Sequence, residues 1–404
     1  MEQDYRDSLK QIRRNAADWL TRQGLDALLG PEYVLMPGLC DVHVHLREPG
    51  FSKKETIRTG TLAAARGGFT TVCAMPNLDP VPDSPETLEP QLDLIRRSAR
   101  VRVLPYGAIT RGEQGKALAD LEGLAPRVCA FSDDGHGVQD EGLMREAMLR
   151  AKALGKLICA HCEDDGLRAG GHIRESALSR QLNIPGIPPE SEYRQLERDL
   201  RLAQETGCAY HACHLSTKES IGLMRQAKKA GLNVSCETAP HYLLLCLEDM
   251  RDEGRFKMNP PLGTREDRDA VLEGFLDGTV DMLATDHAPH TSEEKAGGLR
   301  ESLMGVVGLE PAFPVLYTAL VRTGLASPET LAERMAFAPL RRFGLEAGED
   351  FAVFHVGTEF RLDPEAFASL GRATPFAGMR LHGECVLTVM EGKIVYNASG
   401  KSRS

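Results

Sequence analysis

Asp41-Val42-His43-Val44-His45-Leu46-Arg47 is the stretch from which the fold can be worked out. Along an extended strand successive side chains turn to opposite faces, so His43 and His45 share one face while Val42 and Val44 take the other. Two neutral imidazoles placed in this way can hold one divalent metal. A single His-x-His also occurs in strands that bind nothing, so its meaning depends on the chain around it.

Working outward, short apolar runs bounded by turns predict eight strands, at 39–45, 71–75, 101–109, 128–132, 157–161, 209–215, 233–238 and 281–286. Helical patterns lie between most of them. Ser216 with Glu219 reads as a capping box, and Gly155, Gly207 and Gly231 stand where helices should close. Eight repeats of strand then helix predict an α/β fold of the (β/α)8 TIM-barrel type. A doubly wound open sheet would announce a glycine-rich loop after its first strand, and here that strand ends in His-x-His.

Outside the repeats, 1–28 carries Leu9, Ile12, Ala16, Trp19 and Leu20 at helical spacing, a packing stripe. After the eighth strand come a long loop at 291–308, helical patterns at 309–319 and 328–337, and strand patterns at 384–389 and 393–396. The expected organisation is a helical N-terminal extension at 1–36, a barrel at 37–345 and a small C-terminal β appendage at 346–404.

The 404 residues are 42% hydrophobic, enough for a large core. Net charge is −10 with no dense Lys/Arg run, which argues against nucleic acid or a membrane surface and for a small-molecule substrate. The charged start Met1-Glu2-Gln3-Asp4 lacks the apolar core of a signal peptide, so a cytoplasmic protein is expected. Ten cysteines are scattered through apolar runs and read as reduced thiols. Cys159-Ala160-His161-Cys162 resembles a zinc knuckle, but no second CxxC completes it.

In such a barrel the reactive groups gather at the carboxyl ends of the strands. Strand one ends in His43 and His45, strand four runs into Asp133-Asp134-Gly135, strand five ends at His161, strand six carries His214 and strand eight delivers Asp286-His287. Buried imidazoles and acids need salt bridges or metal. Nitrogen and carboxylate donors suit Zn2+, and by ligand type also Mn2+, Co2+ or Fe2+. His43, His45 and Asp286 can hold one ion, His161 and His214 a second, with Asp134 between them. A metal-held water is hydroxide near neutral pH, and the chemistry implied is addition of water to an amide-like carbonyl or its reversal.

These segments resemble the amidohydrolase superfamily and, more closely, bacterial class I dihydroorotase. The resemblance rests on His43-Val44-His45-Leu46-Arg47-Glu48-Pro49-Gly50, Met75-Pro76-Asn77, Phe131-Ser132-Asp133-Asp134-Gly135, His161-Cys162-Glu163-Asp164, His214-Leu215-Ser216-Thr217, Asn259-Pro260-Pro261-Leu262 and Thr285-Asp286-His287-Ala288-Pro289-His290, and spans about 37–311. It implies reversible cyclisation of N-carbamoyl-L-aspartate to L-dihydroorotate in pyrimidine biosynthesis. The implied ligands are His43, His45 and Asp286 for one zinc and His161 and His214 for another. Asp134 takes the bridging place that relatives fill with a carboxylated lysine, and Asp133 is the substitute if the family spacing misleads. Strand four, Arg127-Val128-Cys129-Ala130-Phe131-Ser132, has no lysine.

By the same resemblance zinc-held hydroxide attacks the ring amide carbonyl and Asp286 carries the proton. Arg47, Asn77 and His290 bind the substrate carboxylate, Asn259 lies near the ring, and the loop at 291–308 is a lid. His136, His172, His241 and His287 read as structural. Relatives begin with several strands where this chain shows a helix, and Glu301-Ser302-Leu303-Met304-Gly305 lacks the Pro-Phe expected before its glycine. The resemblance also implies a homodimer and an aspartate carbamoyltransferase partner. Rival readings are an allantoinase or hydantoinase, and a non-catalytic dihydroorotase-like subunit that scaffolds the carbamoyltransferase.

Overall fold

Every one of the eight apolar runs contains a strand in the structure, a computed structural model that describes residues 2–399. The helix Glu2–Arg22 (α1) precedes them and buries Leu9, Ile12, Ala16 and Leu20, the stripe expected from their spacing. Trp19 meets Phe351 edge-on at 5.5 Å. The helical pattern is expected to run to about residue 28 within an extension bounded at 36, but the helix stops at Arg22, and Gly24 at φ 69° turns the chain back. Tyr33–Pro37 (β1) is a strand, because Tyr-Val-Leu-Met is apolar and extended and the edge at Phe351–His355 offers it a ladder.

The repeat strands are Leu39–Val44 (β2), Phe69–Ala74 (β3), Arg102–Pro105 (β4), Gly107–Ala108 (β5), Phe131–Ser132 (β6), Ile158–Ala160 (β7), Tyr210–Ala212 (β8), Val234–Thr238 (β9) and Met282–Leu283 (β10). All pair in parallel, in a three-stranded sheet β2-β3-β4 and a six-stranded sheet β10-β9-β8-β7-β6-β5. The third run is split into β4 and β5 at Tyr106, whose hydroxyl donates to Val42 O at 2.9 Å.

At the other margin a parallel bridge joins Val44 to His287, and His45 N donates to His287 O at 2.8 Å. The buried Asp41 carboxylate joins β2 to β10 here. It accepts from His43 N (3.0 Å), from Thr285 N (3.2 Å) and from Thr285 Oγ1 (2.6 Å). Side chains from one face of these strands, among them Cys40, Val42, Cys73, Tyr106, Ala130, Cys159, Cys213, Met282 and Ala284, form one buried cluster. Their opposite faces pack against the connecting helices in the larger core. All ten cysteines are free thiols, and nine are buried.

The connecting helices include Ile57–Arg66 (α2), Pro85–Ser98 (α3), Glu141–Ala153 (α4), Glu190–Thr206 (α5), Lys218–Lys229 (α6) and Arg265–Asp277 (α7). The cap of α6 is Thr217, which accepts from Ser220 N, rather than the expected Ser216. Glu192 of α5 takes Ser216, accepting from its N–H at 3.1 Å and its hydroxyl at 2.5 Å, so the capping role passes to the next hydroxyl. The appendage strands Phe351–His355 (β11), Glu384–Met390 (β12) and Lys393–Asn397 (β13) form an antiparallel sheet in the order β1-β11-β12-β13. Among the described residues no helix is long and apolar enough to cross a membrane.

Candidate metal centre

The carboxyl ends of β2, β6, β7, β8 and β10 deliver His43 and His45, Asp134, His161, His214 and Asp286 to one point. The backbone is bent to do this. Arg47 (φ 61°), His214 (φ 34°) and Asp286 (φ 48°) lie in the left-handed region, which costs a non-glycine residue about 1–3 kcal/mol. Such strain persists where the surrounding structure enforces it, and here it turns side chains from strand ends into a shared cleft.

Asp134 is the hub. Its carboxylate lies 3.3 Å from His43 Nε2, 3.4 Å from His45 Nε2, 3.4 Å from His214 Nε2 and 3.8 Å from His161 Nδ1. Asp286 Oδ1 is 3.2 Å from His45 Nε2 and 3.6 Å from His43 Nε2. His161 Nδ1 and His214 Nε2 are 3.0 Å apart. Asp133 is turned away, accepting from Ile109 N (2.7 Å), from Thr110 N (3.0 Å) and from the Thr110 hydroxyl.

Donor atoms of His43, His45 and Asp286 lie within 4.8 Å of one another, and so do those of His43, Asp134 and His214. His43 Nε2 and Asp134 Oδ1 are buried without a hydrogen-bond partner. Orphaned buried acceptors of this kind are costly unless a cation or donor sits among them. Burial disfavours a charge on His43, yet Asp134 and Glu237 raise its pKa well above the ordinary imidazole value. Burial alone would raise Asp134, but His43 and His214 hold it well below the usual carboxylate range. Asp286 is likewise lowered against its burial, chiefly by His45. The cluster is buried, convergent and rich in nitrogen and oxygen donors, and it fits a divalent metal.

The expected substrate residues line the same cleft, a cavity of about 340 Å3 bounded by the cluster apart from His43 and by Arg47, Asn77, Arg168, Asn259, Ala288, His290 and Leu303 to Gly305. Arg47 Nε donates to Pro289 O at 3.3 Å, and burial pulls its pKa down to about 10. Asn77 Nδ2 is bonded to Asp134 O and Glu113 Oε1, while its Oδ1 has no partner. Asn259 Nδ2 lies 3.3 Å from both His161 Nε2 and Glu163 Oε2. His290 donates from Nε2 to Met304 O at 2.7 Å and accepts at Nδ1 from Lys54 Nζ at 3.3 Å. Burial, with Arg47 and Lys54 nearby, depresses its pKa to about 3, so the ring is neutral.

Three groups at or behind the cleft escape a reading of the sequence. Glu163 contacts His161, Asn259 and Arg168, the last at 3.4 Å, and it lies two residues past His161. Lys54 sits between His290 and Glu294, and nothing in its local sequence marks it. Glu237 lies 2.7 Å from His43 Nδ1 and is held near pKa 2, its burial outweighed by His43 and His211. Its signal was a carboxylate in the middle of a buried apolar strand, which physics requires to have a partner.

A family model described as dihydro-orotase-like matches residues 32–220. The chain is 51% identical over 372 residues to a dihydroorotase of Bacillus caldolyticus, covering 90% of this chain and 87% of the relative. The chain belongs to the dihydroorotase family. A dihydroorotase of Fusobacterium nucleatum is 50% identical over 367 residues, covering 89% of this chain and 86% of the relative. Among solved structures, the fold matches an L-hydantoinase (dihydropyrimidinase) of Arthrobacter aurescens with a TM-score of 0.80 at 25% identity, covering 90% of this chain and 85% of that one. It also matches a dihydropyrimidinase of Brevibacillus agri with a TM-score of 0.78 at 21% identity, covering 91% and 85%. This member of the family thus shares a mixed α/β architecture with these two proteins, and its buried His/Asp cluster stands at its strand ends.

Proposed function

We propose that this protein is a zinc-dependent dihydroorotase that interconverts N-carbamoyl-L-aspartate and L-dihydroorotate. The observation that carries the reading is a single cleft holding both the His/Asp cluster and Arg47, whose one side-chain hydrogen bond among the described residues is from Nε. That leaves its outer guanidinium nitrogens for a substrate carboxylate. Dihydroorotate has such a carboxylate, whereas allantoin and hydantoin have none. The absence of lysine from the strand before Asp134 favours the same choice, and so does the identity to named dihydroorotases.

His43, His45 and Asp286 would hold one zinc, His161 and His214 a second, with Asp134 shared. When bound, the metal supplies a Lewis acid that polarises a carbonyl oxygen and lowers the pKa of water. The chain's own residues do the rest. Arg47 binds the carboxylate, with Asn77 and His290 beside it, and Asn259 borders the ring. Asp286, kept ionised, accepts the proton of the attacking water and delivers it to the departing ring nitrogen. In the biosynthetic direction it removes the ureido proton. The two parallel sheets are read as arcs of one (β/α)8 barrel, continuous through Tyr106 and joined at Asp41. A cytoplasmic homodimer with an aspartate carbamoyltransferase partner completes the proposal, and the solution mass of the purified protein tests the dimer.

The decisive experiment measures zinc content and then turnover of dihydroorotate, allantoin and hydantoin. Metal-replete protein is expected to act on dihydroorotate alone. Silence on dihydroorotate with full metal would transfer the case to a hydantoinase-type enzyme or a non-catalytic scaffold.

A further inference from the structure

Behind His43, on the side away from the cleft, three polar groups form a chain that substrate does not reach. His43 Nδ1 lies 2.7 Å from Glu237 Oε1, Glu237 Oε2 lies 3.0 Å from His211 Nε2, and His211 Nδ1 lies 2.7 Å from Ser235 Oγ. All four residues are buried, His43 and His211 completely. His211 stands opposite Ser235 in the β8–β9 ladder, and Ser235 and Glu237, two apart in β9, share a face. From that face the Glu237 carboxylate crosses to β2, with which β9 has no ladder.

A proton count closes on one arrangement. An ionised carboxylate only accepts, so His43 Nδ1 and His211 Nε2 both donate to Glu237. A neutral His211 then has Nδ1 free as an acceptor, and the Ser235 hydroxyl donates to it. Asp134 and Glu237 favour the charged form of His43 in the absence of a cation, but as a metal ligand the ring is neutral, with its lone pair on Nε2, the atom that faces Asp134 and Asp286 and has no hydrogen-bond partner. Every member of the chain is satisfied except the atom presented to the cluster.

We propose that Glu237, His211 and Ser235 are a positioning relay for the metal centre, locking His43 in its Nδ1–H form, aiming Nε2 into the cleft and strengthening it as a ligand. A carboxylate accepting from the far nitrogen of an imidazole pushes electron density toward the near one. His211 and Ser235 fix the carboxylate in turn, so retention of metal is governed from strands that contribute no ligand through these residues. The inference rests on His43 being a metal ligand, as proposed above.

The test uses the holoenzyme and the Glu237→Gln, His211→Gln and Ser235→Ala variants, and begins by counting metal in the wild type. A wild type without metal sinks the metal reading itself, whatever the variants do. With metal present, three readouts follow: loss of metal to a chelator, the visible spectrum of the cobalt-substituted protein, and melting of each apoprotein. Metal affinity is expected to fall about 10- to 100-fold in Glu237→Gln, less in His211→Gln and least in Ser235→Ala. The cobalt spectrum should shift in the same order, while apoprotein melting stays near wild type. The proposal is overturned if chelator release and spectrum are unchanged in Glu237→Gln, or if the apoproteins lose as much stability as the holoproteins. Should Glu237→Gln fail to fold, His211→Gln and Ser235→Ala decide by the same readouts.

Discussion

Asp286 shows how much a single position is asked to do. Its backbone is held at φ 48°, its carboxylate lies against His45 and His43, and those imidazoles keep it ionised in a buried site. The Asp286→Asn variant, isosteric but unable to take a proton, is expected to lose about 10²- to 10⁴-fold in turnover. Binding of N-carbamoyl-aspartate, measured by calorimetry, should change far less, because Arg47 is untouched. Turnover at the wild-type level would remove Asp286 from the proton path. At this scale the sequence was informative about type and silent about orientation. Asp133 and Asp134 are chemically equivalent neighbours, and only the fold turns one toward four imidazoles and the other toward the amides of Ile109 and Thr110.

The elements were legible where their signals are local. The strand runs, the helix-closing Gly155, Gly207 and Gly231, and the apolar stripe of α1 all depend on residues within a few turns of one another. Tyr33–Pro37 and the cap of α6 were not, because each is decided by a partner far along the chain: Phe351–His355 for the strand and Glu192 for Ser216. The loop expected to act as a lid is held down in the same way. Lys295 Nζ donates to Lys257 O (3.0 Å), to Leu303 O (2.7 Å) and to Gly305 O (2.7 Å), setting Leu303, Met304 and Gly305 along the cleft wall. Gly305, at φ 132°, passes so close to Ala288 that a Cβ would stand 2.7 Å from its carbonyl oxygen. Lys295→Met removes all three bonds at similar length, so KM is expected to rise several-fold and proteolysis within 291–305 to accelerate, with kcat less affected. Unchanged KM and proteolysis would show that the loop is held by its packing alone.

Over the whole molecule, the first and last repeat strands meet through a few polar contacts rather than a ladder. Asp41 accepts from Thr285 Oγ1 at 2.6 Å, and Thr285 Oγ1 accepts from His287 N at 3.1 Å. Thr285→Val keeps the shape but leaves a buried carboxylate and a buried amide each short of a partner, at a cost of about 1–3 kcal/mol. Urea denaturation of the apoprotein is expected to show that loss, and an unchanged midpoint would mean that the seam is carried by Val44 and its neighbours. The order of elements, the parallel α/β architecture and the inventory of imidazoles and acids at strand ends were determined by the sequence itself, since periodicity and donor chemistry are properties of nearby residues. The tertiary structure alone decided that Asp133 turns to the amides of Ile109 and Thr110, that β1 completes the appendage sheet, and that Glu237 backs His43. Each of these depends on groups far apart in sequence being brought together and desolvated, and a one-dimensional pattern does not encode which buried charge will meet which partner.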